Sequence, residues 1–154
     1  MKRSAGVLLY RRLPPPGGIE VLIVHPGGPF FAAKDVGVWS VPKGEYELGE
    51  DPLQAARREF TEETGQEPPV GGELDLGEVR QSNKVVRAFA YEGDLDAAAA
   101  ASNECDIEWP RGSGRVLTIP EVDRAEWVAP EAARTKLVKA QVELVDRLCV
   151  LVGL

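Results

Sequence analysis

The sequence is short of several residue types, and each shortage argues against a class of protein. Basic residues number 18 against 25 acidic ones, which leaves a formal net charge of −7. A large nucleic-acid footprint needs a basic stripe, so we expect no nucleic-acid partner. An anionic phosphate substrate is compatible with this charge when bound cations reverse its sign locally.

Cysteine, histidine and long apolar runs are also scarce. Cys105 and Cys149 have no metal-ligand or redox spacing, and we interpret them as reduced thiols, with a structural disulfide as the alternative. The N-terminal apolar run is too short for a signal sequence, and Asp146 and Arg147 interrupt the C-terminal one. We therefore expect a cytoplasmic protein without a membrane partner. For His25, the one histidine, we favour a structural role over a substrate contact.

Apolar runs separated by turn residues predict one mixed α/β domain that spans residues 1–154. A hydrophobic content of 44% fits a globular fold with a real core. Helical patterns cover residues 52–64, about 130–137 and about 140–150. The strand candidates are AGVLLYRR, IEVLIVH, VWSVP, ELDLGEVR, KVVRAFAYE, a short segment near Ile107, RVLTI and AEWVA. This order of strands and helices indicates a mixed sheet covered on both faces.

The first predicted helix contains the densest group of acidic residues, in the stretch RREFTEETG at residues 57–65. Asp51 suits the N-cap, Pro52 the first helical position and Gly65 the position after the helix. At 100° per residue, the three glutamates share an arc of about 100°, and an apolar arc follows it. The acidic arc is Glu59, Glu62 and Glu63, and the apolar arc is Leu53, Ala56 and Phe60.

Carboxylates beside a buried face are costly unless something positive compensates them. One interpretation is a solvated helix surface with Arg57 and Arg58 as local partners. The preceding loop PKGEYELGE favours another, because Glu47 and Glu50 add oxygens that could fold back onto the helix. Magnesium prefers hard oxygen ligands and keeps part of its shell for water and phosphate. The pattern therefore predicts a magnesium site, with manganese as an alternative ion.

The spacing from Gly44 through Glu50, Arg58-Glu59 and Glu62-Glu63 to Gly65 resembles the signature of the Nudix hydrolases. Gln66 stands where that family usually has an aliphatic residue. The lead-in GVWSVPKGE is similar to that of dinucleoside-polyphosphate hydrolases, and EVDRAEWV resembles the family's late strand. The resemblance implies an α/β/α sandwich and a hydrolase acting on phosphoric anhydride bonds. Its substrate would be a nucleoside diphosphate linked to another group, with NTPs or dinucleoside polyphosphates favoured.

The same resemblance assigns roles to the residues of this motif. The implied metal ligands are the Gly44 carbonyl, Glu59, Glu62, Glu63 and, through water or a second metal, Glu50. Arg58 would hold one of these glutamates in place. The general base stays open between Glu59 and Glu121, and Glu104, Asp106 and Glu108 compete with Glu121.

Four further residues are candidate substrate ligands: Lys43, Phe31, Lys84 and Arg87. Phe31, with Phe30, would stack on a nucleobase or else join the core. The three cations would contact phosphate if they face the cleft. A nucleotide is the expected partner, a homodimer is compatible with the pattern, and a non-catalytic nucleotide sensor of the same fold is the alternative function.

Overall fold

The computed structural model describes residues 1–154. Its strands are β1 (Lys2–Arg12), β2 (Ile19–Pro26), β3 (Lys43–Glu45), β4 (Leu74–Gln81), β5 (Lys84–Glu92), β6 (Glu104–Glu108), β7 (Val116–Pro120) and β8 (Val122–Val128). Its helices are α1 (Pro52–Thr64), α2 (Pro130–Lys136) and α3 (Val142–Leu151), with short 3₁₀ turns at Ala97–Ala99 and Lys139–Gln141.

The main sheet has six strands in the order β4-β5-β1-β2-β8, and β3 pairs with β1 outside this path. Strands β1 and β5 are parallel, whereas the other pairs are antiparallel. The predicted pairing of β1 with β2 is confirmed, but its Cα register covers only Tyr10–Arg12. Strand β3 pairs with the other end of β1, at Ser4–Gly6, so β1 has different partners at its two ends.

Helices cover both faces of this sheet, which confirms the predicted mixed sheet in an α/β/α arrangement. Helix α1 packs on one face, where Ala55, Ala56 and Phe60 meet Ala5, Val7, Leu9, Leu22 and Val24. Helices α2 and α3 pack on the other face, where Ala133, Leu144, Val145 and Leu148 meet Leu8, Val21, Ile23, Trp39 and Val86.

One detail of the predicted secondary structure is wrong. The segment VWSVP forms only isolated bridges at Trp39 and Ser40, and the strand begins at Lys43 instead. The segment before α1 pairs with the free edge of β1 at Ser4–Gly6, so part of the predicted glycine-containing loop is extended. The last predicted helix is confirmed as α3, and a 3₁₀ turn at Lys139–Gln141 precedes it.

Strands β6 and β7 form a separate two-stranded ribbon outside the main sheet. The ribbon ends in the turn 109–115, and β7 leads through Glu121 into β8. Both cysteines are free thiols, which agrees with the reduced interpretation. No helix of the protein has the length and apolar character needed to cross a membrane.

Candidate functional site

Helix α1 begins and ends where the sequence predicts. Asp51 Oδ2 accepts a hydrogen bond from Gln54 N at 3.1 Å, which caps the N-terminus. Gly65 ends the helix with φ 74°, and a Cβ there would lie 2.8 Å from the carbonyl oxygen of Ala101. Gln66, the departure from the family pattern, donates its side-chain amide to the Asp96 carbonyl at 3.0 Å. The helix exit is therefore held by a hydrogen bond in place of an apolar contact.

The acidic arc of α1 borders its buried face, as predicted, and Glu59 and Glu63 lie deeper in that face than the sequence indicates. Ala55 and Thr64 are both fully buried, and they flank the arc that contains Glu59 and Glu63. The Glu59 side chain is only 13% exposed, whereas Glu62 at the edge of the arc is 40% exposed. Leu53, which we assigned to the apolar arc, is only half-buried.

Glu59 lies directly against the backbone of Gly44 in β3. A Cβ on Gly44 would lie 2.0 Å from Glu59 Oε2, closer than any real contact. Gly44 pairs with Ala5, and Ala5 belongs to the core under α1, so this position faces the helix. The missing side chain at Gly44 thus makes the space that the carboxylate fills. Burial raises the pKa of Glu59, the Arg58 hydrogen bond opposes this shift, and the charge of Glu62 adds to it.

Glu63, one helical turn after Glu59, is also held by the backbone of β3. Its Oε1 accepts a hydrogen bond from the backbone N–H of Lys43 at 3.1 Å. Burial raises the pKa of Glu63 to about 8, and this effect outweighs the Lys43 N–H bond and the Lys43 charge. The metal-free site therefore favours a protonated carboxyl here, while a dication would favour the ionised form.

Arg58 lies among the glutamates, as the resemblance implies. Its guanidinium donates to Glu50 and to Glu59, the latter at 3.3 Å, and it is 4.0 Å from Glu62 Oε1. These contacts tie the loop carboxylate of Glu50 to the helix. They also spread the carboxylates around one cation, and no three acidic, histidine or cysteine side chains converge as a ready ligand set.

Glu121 shares a small cavity with Glu63 and Lys43, although 58 residues separate it from Glu63 in the chain. The cavity has a volume of about 150 Å³, and Val24, Pro26, Val38, Ser40 and Val122 complete its lining. The charge of Glu121 contributes to the raised pKa of Glu63, so the two carboxylates interact. Among the competitors, Glu108 instead binds backbone N–H groups in the ribbon turn.

The donor set of this site consists of oxygen atoms only: the Gly44 carbonyl and the carboxylates of Glu50, Glu59, Glu62, Glu63 and Glu121. Hard oxygen ligands suit magnesium or manganese and disfavour softer metals. Two buried carboxylates with raised pKa values and a fitted gap at Gly44 are the features that a dication would stabilise. The residues present therefore fit the implied ion.

Lys43 and Lys84 lie together, on the sheet face opposite to α1. Lys43 pairs with Gly6, and a Cβ on Gly6 would lie 2.8 Å from Lys43 Cβ, which directs the side chain toward the α2 and α3 face. Burial and, second to it, the nearby charge of Lys84 lower the pKa of Lys43 to about 8. Two crowded ammonium groups favour an anion between them.

The other two predicted substrate ligands, Arg87 and Phe31, make their contacts with other residues of the protein. Arg87 forms a two-pronged ion pair with Asp75, at 3.0 and 2.5 Å, so its charge is already partnered. Phe31 packs edge-to-face against Phe30, with ring centroids 4.9 Å apart, in the loop after β2. Phe30 is 55% exposed, which leaves one aromatic face available to a base.

Three residues beside the site escaped the sequence analysis. The Ser4 hydroxyl is fully buried without a hydrogen-bond partner, and the register places it beside the Lys43 and Lys84 positions. Gly27 N donates to the Glu121 carbonyl at 3.0 Å, and a Cβ on Gly27 would collide with the Pro120 carbonyl. Asp123 Oδ1 forms a hydrogen bond with His25 Nδ1 at 2.8 Å. The stretch PGGP was the only available signal for the Gly27 contact.

His25 has the structural role that we favoured. It is fully buried, its Nε2 lies 2.7 Å from the Lys34 carbonyl, and its ring packs edge-on against Trp39. Asp123 is the unpaired residue where the register between β2 and β8 shifts, so this bulge aims its carboxylate at the imidazole. The contacts fix the loop 27–37 beside Glu121.

Comparison with known proteins agrees with this architecture. The chain is 30% identical over 122 residues to an RNA pyrophosphohydrolase of Brucella anthropi, covering 68% of this chain and 63% of that protein. It is 34% identical over 107 residues to an RNA pyrophosphohydrolase of Rhizobium meliloti, covering 58% of each. The chain thus spans only about three-fifths of the length of these curated relatives.

Solved structures share the fold at low identity. A C. elegans Ap4A hydrolase in a binary complex matches with a TM-score of 0.63 and 21% identity, over 99% of this chain and 98% of that one. The NUDIX domain of Shewanella oneidensis NrtR, complexed with ADP ribose, matches with a TM-score of 0.64 and 16% identity, over 97% and 87%. The family model for the NUDIX domain matches residues 2–148. This match over nearly the whole chain shows that the protein belongs to the Nudix family.

Proposed function

We propose that this protein is a magnesium-dependent pyrophosphohydrolase that cleaves a nucleoside diphosphate linked to another group. Water would attack phosphorus, and NTPs or dinucleoside polyphosphates are the favoured substrates. The observation that carries the proposal is the placement of Glu59 against the backbone of Gly44 and of Glu63 on the backbone N–H of Lys43, two successive residues of β3. A purely structural helix gains nothing from burying two such carboxylates.

A bound dication would supply charge neutralisation of the phosphate oxygens and a more acidic water. Its ligands would be the Gly44 carbonyl, Glu59, Glu62 and Glu63, with Glu50 in support; manganese could replace magnesium. Arg58 keeps Glu50 and Glu59 within reach of each other when the site is empty of substrate. It acts as a positioning residue, because its donors are engaged by carboxylates.

The general base remains a choice between Glu59 and Glu121. Glu121 has the better position for accepting a proton at the cavity, because it lines the same 150 Å³ space as Glu63. Glu59 is instead packed on Gly44 with little free volume around it. We therefore propose Glu121 as the base and Glu59 as a ligand.

Lys43, Lys84 and the unpartnered Ser4 hydroxyl lie on the sheet face opposite to α1, so they would receive the part of the phosphate chain that passes the open edge of β3. An anion between the two lysines would relieve their mutual repulsion and give the buried hydroxyl an acceptor. Phe31, with Phe30, would contact the base, whereas Arg87 must first release Asp75. A cytoplasmic location and a homodimer remain predictions.

A second candidate substrate is the 5′-polyphosphate end of RNA. The observation that favours it is the similarity to two curated relatives that are RNA pyrophosphohydrolases. The net charge of −7 argues against a large nucleic-acid footprint, but a single 5′ end needs only a few phosphate contacts.

A nucleotide panel tests the proposal directly. The protein is incubated with NTPs, dinucleoside polyphosphates and 5′-triphosphorylated RNA, each with magnesium, with manganese and with excess chelator. We expect release of pyrophosphate or of a mononucleotide that stops when the ions are chelated. A non-catalytic sensor of the same fold would instead show a ligand-dependent rise in thermal midpoint without product. Turnover that is equally fast in chelator would refute the metal-dependent mechanism.

A further inference from the structure

The turn of the β6–β7 ribbon, residues 109–115 and here called the hairpin tip, concentrates positive charge on an acidic protein. Its sequence is WPRGSGR, and both Arg111 and Arg115 are exposed. Neither guanidinium forms an ion pair, although most arginines of the chain do. In a chain with net charge −7, two unpaired arginines within one short turn are suited to bind an external anion.

The nearest acidic group does not neutralise these arginines, because it holds the backbone of the tip. The Glu108 carboxylate accepts hydrogen bonds from Gly112 N at 2.8 Å and Gly114 N at 3.1 Å. Ser113 N donates to the Pro110 carbonyl at 3.0 Å, and Arg115 N donates to Ser113 Oγ at 3.1 Å. The tip is therefore a turn with a preformed backbone, and it presents both cations to solvent.

An aromatic ring and apolar side chains lie beside the two cations. Trp109 is half-buried at the start of the tip, and it contacts Arg115 through the backbone bond Trp109 N to Arg115 O at 3.0 Å. On the same face of the ribbon, Ile107 pairs with Leu117, which is 39% exposed. Cations that follow a phosphate backbone, interleaved with surfaces on which bases stack, are the elements that bind single strands.

The ribbon is rooted at the cavity itself. Strand β7 ends at Pro120, and the next residue, Glu121, lines the cavity with Glu63 and is held by Gly27 N. The six residue steps from Arg115 to Glu121 span at most about 20 Å of backbone. A free nucleotide in the cavity is too small to use both regions, whereas a strand that continues beyond its first nucleotide can reach the tip.

We propose that the hairpin tip binds the phosphodiester backbone of a single-stranded RNA whose 5′-polyphosphate enters the cavity. Arg111 and Arg115 contact phosphates downstream of the first nucleotide, and Trp109 supports a stacked base. This inference rests on the proposed function, and it selects the RNA end from the two candidate substrates. Dinucleoside polyphosphates and NTPs use the cavity without the tip.

Binding of a 5′-monophosphorylated RNA of about ten nucleotides tests the tip without catalysis, because this ligand contains no anhydride bond. Fluorescence anisotropy is measured over a series of salt concentrations for the wild type and for Arg111→Ala/Arg115→Ala. We expect about tenfold weaker binding for the variant at low salt. Since each phosphate contact contributes about 0.7 to the salt slope of a single strand, the slope should fall by about 1.4.

A matched control removes two cations elsewhere. Arg80 and Lys139 are also exposed and also lack ion pairs, so Arg80→Ala/Lys139→Ala changes the net charge equally. This control should keep the wild-type slope, and an equal loss in both variants would reduce the effect to overall charge and refute the tip. Binding of the RNA by the Arg111→Ala/Arg115→Ala variant with wild-type affinity would also refute the role of the hairpin tip. A DNA strand of equal length shows whether the 2′-hydroxyl contributes.

Kinetics separate this inference from the proposed function. The tip variant should keep wild-type turnover of NTPs and dinucleoside polyphosphates, and lose about tenfold in kcat/KM on 5′-triphosphorylated RNA, through KM. Equal turnover of RNA by both proteins would overturn the tip while the proposed function stands. Absence of turnover on every substrate would refute the proposed function, and the anisotropy measurement would still decide the tip.

Discussion

Helices α1 and α3 pack on opposite faces of one sheet, yet the side chains that they bury have little in common. Helix α3 buries Leu144, Val145, Leu148 and Cys149. Helix α1 buries two alanines, Phe60 and Thr64, and between them it encloses the carboxylates of Glu59 and Glu63. Each large aliphatic side chain on α3 stabilises the fold by about 1.5–3 kcal/mol, whereas each buried carboxylate on α1 opposes it.

The difference shows that the α3 face contributes most to the stability of the fold, whereas the buried carboxylates on the α1 face lower it. The α3 face holds the larger core, with Trp39 at its centre, and the α1 face is thinner. Small residues on α1 bring the helix close enough for Glu59 to reach the Gly44 backbone. Substitutions on the two faces should therefore separate activity from stability.

The largest effect is expected for Glu63→Gln. Glutamine retains an oxygen for the Lys43 N–H but removes the charge that a dication requires. We expect kcat to fall by a factor on the order of 10²–10³ or more while the fold is kept. Steady-state kinetics with magnesium and circular dichroism check this. Glu73→Gln, an exposed carboxylate away from the site, is the control, and near-normal magnesium-dependent rates for Glu63→Gln would remove Glu63 from the ligand set.

The matching change on the other face is Leu148→Ala. Leu148 is fully buried among the residues of the larger core. Its truncation should lower the free energy of unfolding by about 2–5 kcal/mol, because it leaves a cavity, and should leave kcat almost unchanged below the melting range. Urea denaturation measures the loss. Leu151→Ala on the same helix serves as the control, since Leu151 is 54% exposed and its truncation should cost less than about 0.5 kcal/mol.

A third variant, Gly44→Ala, tests the fit between the Glu59 side chain on α1 and the backbone of β3. The added Cβ would lie 2.0 Å from Glu59 Oε2, so the carboxylate must move by an ångström or more. A displacement of this size should lower kcat/KM by about 10²-fold and weaken manganese binding measured by calorimetry. Adding Glu59→Asp should restore part of both losses, because the shorter side chain withdraws from the Cβ. Unchanged metal affinity in Gly44→Ala would contradict the assigned role of this gap.

Local signals in the sequence were sufficient for most of the fold and for the identity of the acidic helix. Asp51, Pro52 and Gly65 mark its ends because capping depends on neighbouring residues only. The depth of Glu59 and Glu63 could not be predicted, since it depends on β3 pairing with β1 at Ala5. The same pairing turned a predicted loop into a strand.

Long-range features of the site were beyond a pattern analysis for the same reason. Glu121 was a candidate base through the family resemblance, but only the fold brings it to the cavity with Glu63. The partner of Arg87 is Asp75 on the adjacent strand, and that pairing depends on a bulge between Asp75 and Gly77. Spacing along the chain carries no information about such neighbours across a sheet.

The smallest predicted effect is a pH dependence of stability in the metal-free protein. Burial raises the pKa of Glu63 from 4.5 to about 8, so between these values the folded state holds a proton that the unfolded state lacks. Stability should therefore fall as the pH rises from about 5 to 8. Burial lowers the pKa of Lys43 from 10.5 to about 8, so above pH 8 the unfolded state holds the extra proton and stability should begin to recover.

Urea midpoints measured in excess chelator from about pH 5 to pH 9 check this profile. The raised pKa values of Cys105 and Tyr10 act mainly above this range, from 9.0 and 10.0 upward, so they interfere little. Glu63→Gln should weaken the decline, because glutamine does not titrate and only the contribution of Glu59, whose pKa is also raised, is left. Leu148→Ala should shift the whole curve downward without changing its shape. Added magnesium should also flatten the decline in the wild type, since the ion favours the ionised carboxylate. A flat wild-type profile in chelator would mean that Glu63 is solvated in the metal-free protein, and the contrast between the two faces of the sheet would then rest on α3 alone.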